Sequence, residues 1–286
     1  MSQNLPELDW NRINKLIELA IDEDIKNGDA TSISVLPEGV KTAGRFVTRE
    51  ECVCAGLPVA ESVFKRLDNK IVWISHCCEG DVLKSGACIA TVKGNARTIL
   101  AGERIALNFL QRLCGIATIT RKYVKAVNGT STKILDTRKT TPCWRNLEKY
   151  AVVIGGGTNH RMGLYDRIMI KDNHRHLAGL EGSGGLAVVI KRARTMYPEL
   201  EIEVEVDSLD EFKIVLKESP EYILLDNMTN EQMVEAVKLN AGKVKLEASG
   251  GITLERIPAI AKLGVDFISV GALTHSVKAI DISLEM

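Results

Sequence analysis

The spacing of apolar and polar residues changes along the chain, and each spacing predicts a different kind of structure. Between residues 9 and 25, apolar residues recur at helical spacing, and Asn27-Gly28-Asp29 ends that helix. From residue 44 to 92 the pattern becomes short β-like runs separated by glycine turns, with one helical interval over residues 59–67. The predicted strands are 45–48, 52–55, 71–75 and 88–92. This part predicts a small α+β domain with a mainly antiparallel sheet.

Residues 97–127 have the apolar spacing of a helix in two pieces, with a break near Gly115. Arg104 and Arg112 belong to the first piece, where an arginine ordinarily lies on a solvated or salt-bridged face. We interpret the whole stretch as the bridge between two domains.

From residue 133 onward, predicted strands and helices alternate. The strands are 133–136, 167–171, 201–206, 222–226, 243–248 and 267–270, and the helices between them include 185–196, 210–218, 230–238 and 254–263. This series implies a parallel sheet with right-handed crossovers, and its strand number favours closure into a barrel. About 150 residues remain for it, whereas a complete eight-unit barrel needs roughly 200. We therefore expect an incomplete α/β barrel.

Charge and composition exclude several classes of protein. Lys plus Arg and Asp plus Glu both number 37, so the net charge is zero, which is unlike a nucleic-acid coat or a membrane-surface protein. The N-terminus lacks the pattern of a signal peptide, and no apolar run approaches the roughly 18 residues that cross a bilayer. The seven cysteines, an odd number, favour free thiols in a reducing cytoplasm.

The cysteines do not predict a metal site. Cys52-x-Cys54 and Cys77-Cys78 lack the paired spacing of a zinc site. Cys143 could be a nucleophile, but no base is placed by the sequence to activate it, and we interpret it as small apolar filler.

The ends of the six predicted barrel strands carry the residues of greatest chemical interest. In parallel α/β architectures, chemistry takes place at the C-terminal ends of the strands. In chain order these ends carry Thr137, Arg138 and Lys139; Lys171; Glu205; Asp226; Ser249, Gly250 and Gly251; and Val270, Gly271 and Ala272. Cations thus follow the first two strands, carboxylates the next two and glycine turns the last two. The series indicates a site for anionic substrates, because Arg recognises carboxylate or phosphate in a bidentate manner and Lys provides a point charge.

Two physical tasks follow from these residue types. Ser249-Gly250-Gly251, with a helix after it, offers backbone N–H groups and a helix N-terminus to a phosphate. Glu205 and Asp226 would repel each other unless a cation lay between them, and Mg²⁺ shared with substrate phosphates is the usual solution. Glu201 and Glu203 fit exposed positions of an alternating strand, which leaves Glu205 as the candidate of that strand.

Together these parts predict a substrate with several carboxylates, a second substrate with phosphates on a sugar, and a divalent metal. The chain contains neither a P-loop nor a dinucleotide-binding fingerprint, so ATP hydrolysis and hydride transfer are disfavoured. A non-catalytic barrel that binds phosphosugars is the alternative from another class.

Seven segments resemble the quinolinate phosphoribosyltransferase family. They are 108–118 (NFLQRLCGIAT), 136–142 (DTRKTTP), 155–163 (GGGTNHRMG), 170–174 (IKDNH), 203–209 (EVEVDSL), 224–228 (LLDNM) and 247–253 (EASGGIT). The resemblance implies an α/β chain with an N-terminal α/β sandwich domain over residues 1–113, an incomplete TIM-like α/β barrel over 114–272, and a tail over 273–286 that packs back on the N-terminal domain. It also implies a cytoplasmic homodimer, or an assembly of dimers, with shared active sites.

The same resemblance implies a reaction and roles for single residues. Quinolinate and 5-phosphoribosyl-1-pyrophosphate would give nicotinate mononucleotide, pyrophosphate and CO₂ in NAD biosynthesis, without a nucleic acid or a membrane as partner. The implied catalytic residues are Lys139, Lys171, Glu205 and Asp226, of which Glu205 and Asp226 serve Mg²⁺. The implied quinolinate pocket comprises Arg138, His160, Arg161 and Lys171, with Arg104 from the other subunit. Thr137, Ser249, Gly250, Gly251, Val270, Gly271 and Ala272 complete the implied substrate contacts, the glycine turns holding the 5′-phosphate.

A phosphoribosyltransferase for another pyridine or pyrimidine carboxylate is the related alternative. The cluster of Arg138, Arg161 and Lys171 favours a substrate with two carboxylates over one with a single carboxylate.

Overall fold

The computed structural model describes residues 7–180 and 183–286, which divide into two compact units. The first unit runs up to Arg121 and also takes in Thr140–Gly156 and Ala272–Met286. The second unit comprises Lys122–Lys139 and Gly157–Gly271. The predicted domain boundaries at residues 113 and 272 stay a prediction, since the division into units follows packing and places Thr140–Gly156 with the first unit.

Helices and strands lie close to their predicted positions. The helices are α1 (Trp10–Asp24), α2 (Ala30–Val35), α3 (Leu57–Leu67), α4 (Ala96–Ala126), α5 (Arg145–Ile154), α6 (Asp172–Leu177), α7 (Ser183–Met196), α8 (Leu209–Glu218), α9 (Asn230–Asn240), α10 (Ile257–Ala261) and α11 (Ala272–His275). The strands are β1 (Lys41–Thr48), β2 (Cys52–Val53), β3 (Val72–Ser75), β4 (Val82–Leu83), β5 (Cys88–Asn95), β6 (Lys133–Leu135), β7 (Ile168–Ile170), β8 (Ile202–Val206), β9 (Tyr222–Asp226), β10 (Lys245–Ser249), β11 (Phe267–Ser269) and β12 (Ile282–Glu285).

The first unit contains an antiparallel sheet of order β12-β1-β5-β3, and the short strands β2 and β4 pair separately. The prediction of a mainly antiparallel sheet is confirmed. Phe46 of β1, Phe64 of α3 and Trp73 of β3 form an aromatic group in which the rings of Phe46 and Trp73 lie 5.3 Å apart. Such ring contacts add to the stabilisation that apolar burial provides.

The predicted break in the long helix is wrong, because α4 runs without interruption through Gly115. A Cβ atom at this position would overlap the carbonyl oxygen of Lys278 and lie 2.9 Å from a methyl carbon of Val277. The glycine therefore permits a close approach of the C-terminal segment to the helix. Its cost in helix propensity, about 1 kcal/mol relative to Ala, is small beside that packing requirement.

The salt-bridged interpretation of Arg112 is confirmed. Its Nη2 donates to Glu148 Oε1 at 2.7 Å and to the carbonyl oxygen of Thr274 at 2.7 Å. The side chain of Glu148 is fully buried, and Thr141 donates to it through both its backbone N–H and its hydroxyl. A buried carboxylate with several donors is stable, so this group fixes α5 and the preceding loop within the first unit.

All seven cysteines are free thiols. The interpretation of Cys143 as buried filler is wrong, because it is exposed and has a φ of 66°. A side chain in that left-handed region is unusual for a residue other than Gly, Asn or Asp.

The second unit is built on a parallel sheet of six strands in the order β6-β11-β10-β9-β8-β7. Strands β7 to β11 are added in chain order, and β6 pairs with the last of them, as expected for a sheet that curls towards closure. At the other edge of β6, Leu135 forms a parallel bridge with Thr158. This arrangement is the predicted incomplete α/β barrel.

One face of this sheet is apolar, and the other carries the polar residues together with Leu135, Met169 and Leu224. The outer residues, which include Ile202, Val204, Val206, Ile223, Leu225, Leu246, Ala248 and Ile268, are at most 1% exposed. Helices α7 and α8 pack on that side of the sheet. Successive residues of a strand point to opposite faces, so Glu203, Glu205, Asp226, Glu247, Ser249 and Ser269 all lie on the inner face. The inner face leads to the candidate site.

The packing at Gly115 generates a stability prediction. Gly115→Ala should destabilise the protein by about 1–3 kcal/mol through overpacking, although alanine is the better helix former. The measurement is the free energy of unfolding from urea denaturation. Gly184→Ala in α7 is the matched control, because nothing lies within 4 Å of its added Cβ and its stability should be unchanged or slightly higher. Equal stability of Gly115→Ala and wild type would refute the packing role.

Candidate active site

Four of the predicted site residues meet at the C-terminal edge of the second unit's sheet. Lys171 follows β7 directly, Glu205 is in β8, and Asp226 and Ser249 are the last residues of β9 and β10. Asp226 and Ser249 are register partners, which places their side chains on the same face of neighbouring strands. The expectation that these strand ends converge is thus met by the topology of the sheet.

Lys171 and Glu205 form an ion pair through Nζ and Oε2. The side chain of Lys171 is 41% exposed and that of Glu205 is 16% exposed, so a ligand can reach both groups. An ion pair open to solvent contributes at most about 1 kcal/mol to stability. Glu205 and Asp226 were expected to repel each other. The ion pair matters because Lys171, at the end of β7, partly neutralises the charge of Glu205.

Two arginines form a cationic group beside this edge. Arg138 follows β6, and Arg161 lies in the segment before β7, where its Nη1 donates to the carbonyl oxygen of Arg167 at 3.0 Å. Burial and the neighbouring charge of Arg138 lower the pKa of Arg161. Guanidinium groups held together and partly desolvated favour an anion, and the planar fork of arginine suits a carboxylate.

Thr137 and Lys139 frame Arg138. The backbone N–H of Lys139 donates to Thr137 Oγ1 at 3.1 Å, which holds the segment in a tight turn directly after β6. Lys139 is exposed, whereas Thr137 and Arg138 are half-buried. The predicted cations therefore differ in burial, with the lysine closest to bulk solvent.

His160 directly precedes Arg161 in the chain, and its side chain is only 6% exposed. Its Nε2 lies 3.1 Å from Glu203 Oε2 and 3.5 Å from Glu247 Oε2. Its Nδ1 accepts from the backbone N–H of Arg161 at 2.6 Å. The backbone N–H of His160 donates to Asp136 Oδ1 at 2.8 Å. The histidine is thus held on three sides by residues of the second unit.

The interpretation of Glu203 as an exposed strand residue is wrong, and Glu247 was not singled out at all. Glu203 and Glu247 are 0% and 1% exposed, whereas Glu201 is exposed as expected. A signal was available, because both residues stand in the middle of strands that the βαβ pattern places in a barrel. A central parallel strand is covered on both faces, so a polar residue in its middle is buried.

The two buried carboxylates differ in pKa. Burial and the charge of Glu203 raise the pKa of Glu247 well above its ordinary value. Burial also opposes ionisation of Glu203, but the hydrogen bond and charge of His160 and the charge of Arg167 outweigh it and lower the pKa. These opposite shifts favour the neutral form for Glu247 and the ionised form for Glu203.

The glycine turn after β10 depends on two left-handed residues. Gly250 has a φ of +86° and Gly251 a φ of +57°. A Cβ at Gly250 would overlap the side-chain oxygen of Asn227 and lie 2.8 Å from its backbone nitrogen. Asn227 in turn donates to Asp226 Oδ2 at 2.8 Å. Only glycine suits this position, because it adopts a positive φ without strain and has no Cβ that would clash with Asn227.

The helix predicted to follow this turn begins later than expected. Helix α10 starts at Ile257 and has five residues, whereas the pattern predicted a helix from residue 254. The turn itself therefore provides the exposed backbone N–H groups, and Arg256 closes it by donating to the carbonyl oxygen of Gly251 at 2.9 Å. Backbone N–H groups in such a turn can cradle an anion without a long helix.

The remaining predicted residues lie in different surroundings. Val270 is 1% exposed, and its backbone N–H donates to Leu135 at 2.9 Å, so its side chain is part of the apolar core. Gly271 ends the second unit, and Ala272 opens α11 in the first. Arg104 is an exposed residue of α4 in the first unit. A contact of Val270 with a substrate would have to use its backbone.

Two sets of residues have metal-binding chemistry. Glu205 and Asp226 are partly exposed carboxylates on neighbouring strands, and they fit Mg²⁺, which prefers one or two carboxylates together with water and phosphate oxygens. His160, Glu203 and Glu247 have donor atoms within 4.8 Å of one another, but they are deeply buried. Arg167 lies 3.6 Å from Glu203, so a cation already neighbours this second set.

Within residues 7–180 and 183–286, no helix is both long enough and apolar enough to cross a membrane.

Known families and solved structures match this architecture over nearly the full chain. The model of the quinolinate phosphoribosyl transferase C-terminal domain matches residues 116–285, and that of the N-terminal domain matches residues 29–114. A probable nicotinate-nucleotide pyrophosphorylase [carboxylating] of Bacillus subtilis is 42% identical over 96% of this chain and 93% of its own length. The Mycobacterium leprae nicotinate-nucleotide pyrophosphorylase [carboxylating] is 41% identical over 99% of this chain and 100% of its own.

Solved structures agree with these sequence relatives. The nicotinate-nucleotide pyrophosphorylase of Francisella tularensis has a TM-score of 0.92 and 40% identity, covering 100% of this chain and 99% of that one. The enzyme of the same name from Ehrlichia chaffeensis has a TM-score of 0.89 and 37% identity, covering 95% and 97%. The chain therefore belongs to the quinolinate phosphoribosyltransferase family.

Proposed function

We propose that the C-terminal edge of the second unit's sheet is the site at which this protein joins quinolinate to 5-phosphoribosyl-1-pyrophosphate, giving nicotinate mononucleotide, pyrophosphate and CO₂ in NAD biosynthesis. The observation that carries the proposal is the partly buried pair Arg138 and Arg161 beside an edge of carboxylates and glycine turns. Family membership and the activity in its relatives' names support the same reaction.

The cationic group suits the dicarboxylate. Quinolinate has two carboxylates on neighbouring ring carbons, and its transfer from water requires several charge-assisted hydrogen bonds. Arg138, Arg161 and Lys171 provide these, and the position of Arg161 is supported by its hydrogen bonds to His160 and Arg167. Binding at fixed positions also orients the ring nitrogen towards the sugar, which lowers the entropic part of the barrier.

The carboxylates and lysines act at the reacting centre. The ring nitrogen attacks C1 of the ribose while pyrophosphate leaves, through an oxocarbenium-like state of the kind that glycosidases stabilise. Glu205 and Asp226 place negative charge next to that developing cation, and Lys139 and Lys171 neutralise the departing oxygen. Glu205 and Asp226 would hold Mg²⁺, which when bound supplies further charge neutralisation for the pyrophosphate.

The glycine turns suit the 5′-phosphate of the sugar. Gly250 and Gly251 supply backbone N–H groups in a left-handed turn, and Ser249 adds a hydroxyl. After the neighbouring strand, Gly271 and Ala272 offer further backbone groups, next to Val270, whose own N–H donates to Leu135. Thr137 at the first strand end completes the set of proposed substrate contacts. A phosphate bound by backbone groups keeps C1 of the ribose at a fixed distance from the pyridine.

Loss of CO₂ needs no separate acid–base pair. Once ribosylated, the ring nitrogen is cationic, and it stabilises the electron pair that remains on the adjacent carbon when the C–CO₂ bond breaks. A proton from solvent then replaces the carboxylate. Positioned charge accordingly accounts for most of the proposed catalysis.

We place this protein in the cytoplasm as a homodimer, or an assembly of dimers, with neither nucleic acid nor a membrane as partner. Free thiols and zero net charge support this. Arg104 is an exposed cation on α4, and in the proposed assembly it enters the site of the neighbouring subunit. Each quinolinate pocket would then contain cations from two chains.

Turnover tests the reaction directly. Incubation with quinolinate, 5-phosphoribosyl-1-pyrophosphate and Mg²⁺ should release pyrophosphate and CO₂ in equal amounts, and removal of Mg²⁺ by a chelator should abolish turnover. Nicotinate and orotate in place of quinolinate are the specificity controls. Binding of the phosphosugar without turnover would instead support a non-catalytic module, and faster turnover with orotate would support the alternative phosphoribosyltransferase.

Arg161 has a specific expected effect. Arg161→Ala should raise the quinolinate KM by at least ~10-fold, from loss of a charge-assisted contact of ~1.5–3 kcal/mol. The KM for the phosphosugar should stay within about twofold of the wild-type value, because Arg161 is assigned to quinolinate. Arg192→Ala on the exposed surface of α7 is the matched control. An unchanged quinolinate KM would remove Arg161 from the pocket.

Shared sites can be tested by mixing inactive variants. Arg104→Ala and Lys171→Ala should each lose most activity, and a mixture whose subunits exchange should regain part of it, because one site of each mixed dimer then has both wild-type residues. Subunit exchange is followed by native mass spectrometry. If the subunits exchange completely and activity does not recover, Arg104 acts in its own chain or has no role in the site.

A further inference from the structure

The two buried carboxylates beneath the site are not used by the proposed reaction. Glu203 and Glu247 are 0% and 1% exposed and stand two residues before Glu205 and Ser249 on the same face of their strands. Burial of a carboxylate is unfavourable unless a partner compensates for the lost water. Their principal partner is His160, which connects them to the cationic group.

The hydrogen bonds of His160 define its tautomer. Its Nδ1 accepts from the N–H of Arg161 at 2.6 Å, so the hydrogen of a neutral ring resides on Nε2. Nε2 faces Glu203 Oε2 at 3.1 Å and Glu247 Oε2 at 3.5 Å. The carboxylates therefore orient the ring, and the ring holds the backbone of Arg161, in the way that outer partners orient a metal-binding histidine.

Glu203 reaches Arg161 by a second route. The guanidinium of Arg161 donates to the carbonyl oxygen of Arg167 at 3.0 Å, and the guanidinium of Arg167 lies 3.6 Å from Glu203. Arg167 also lies over the ring of Tyr222, 4.0 Å from its centroid. One carboxylate thus supports both the backbone and the side chain of the same arginine.

We propose that Glu203 and Glu247 are positioning residues that set Arg161 for a substrate carboxylate through His160, without touching the substrate. The inference rests on the proposed function, because it takes Arg161 as part of the quinolinate pocket. A charge displaced by about 1 Å can cost about 100-fold in rate or binding, so such support has a measurable effect.

Three substitutions test the positioning role by steady-state kinetics. Glu203→Gln should raise the quinolinate KM about 10-fold, because a neutral amide is a poorer partner for both His160 and Arg167, while kcat and the KM for the phosphosugar change less than about twofold. Glu247→Leu should raise the same KM, whereas Glu247→Gln should raise it less, because an amide keeps the size of the side chain and a polar group next to His160. Glu201→Gln, directly before the same strand, is the matched control, since Glu201 is an exposed partner of Arg167 and of the Tyr222 hydroxyl.

A double-mutant cycle distinguishes this role from others. In an Arg161→Ala background, Glu203→Gln should add less than about twofold to the quinolinate KM, because the path through Arg161 is already lost. Independent effects that multiply would overturn the proposal, as would a fall in kcat with the KM unchanged. If Glu203→Gln does not fold, His160→Asn replaces it in the cycle, since asparagine keeps an acceptor near the Nδ1 position but loses the contact with Glu203.

Further outcomes distinguish the positioning role from the assignment of Arg161 to the quinolinate pocket and from a metal site. If Arg161→Ala leaves the quinolinate KM unchanged, the pocket assignment fails; if it raises that KM and Glu203→Gln does not, only the positioning role fails. Elemental analysis of the purified protein tests whether His160, Glu203 and Glu247 bind a metal ion instead. A stoichiometric metal ion that is lost in both Glu203→Gln and Glu247→Gln would replace the positioning role with a structural metal site.

Discussion

The inner face of the parallel sheet is the constraint on which the rest of the site depends. Its outer face is apolar and packs under helices, so all polar residues of the central strands lie on the inner side. An ionised side chain midway along a strand needs a counter-charge inside the barrel. An ionised side chain at the strand end can interact with a ligand as well as with its counter-charge. Glu203 and Glu247 represent the first case, and Glu205 and Asp226 the second.

This difference divides the charges into two layers. In the deeper layer, Arg167 and His160 lie against Glu203, and burial with the charge of Glu203 raises the pKa of Glu247, which favours its neutral form. At the edge, the ion pair of Lys171 and Glu205 is open to solvent, and a substrate can compete for both of its members. In the proposed site, the deeper layer holds the arginines in fixed positions, and the charges at the edge can change partner during the reaction.

The parts that the sequence predicts well are those that depend on local patterns. All six strands of the second unit, and the strand ends that carry Lys171 and Asp226, follow from apolar runs of the right length. The break at Gly115 was wrongly predicted because that glycine serves a contact with residues far along the chain, which periodicity does not contain. Glu203 was misplaced for a similar reason. An alternating strand has the same pattern whether its polar face meets solvent or other strands.

The closeness of Arg138 and Arg161 bears on substrate choice. Burial and the charge of Arg138 lower the pKa of Arg161, and the charges of Glu203 and Asp166 offset this only in part. In the proposed pocket, a dicarboxylate can pair with both guanidinium groups, whereas a monocarboxylate leaves one of them partly desolvated without a substrate contact. Leaving a charged group in that state costs about 1–3 kcal/mol or more, which corresponds to roughly 10- to 100-fold discrimination. In this proposal, selectivity for two carboxylates follows from the mutual repulsion of the arginines as much as from their attraction to the substrate.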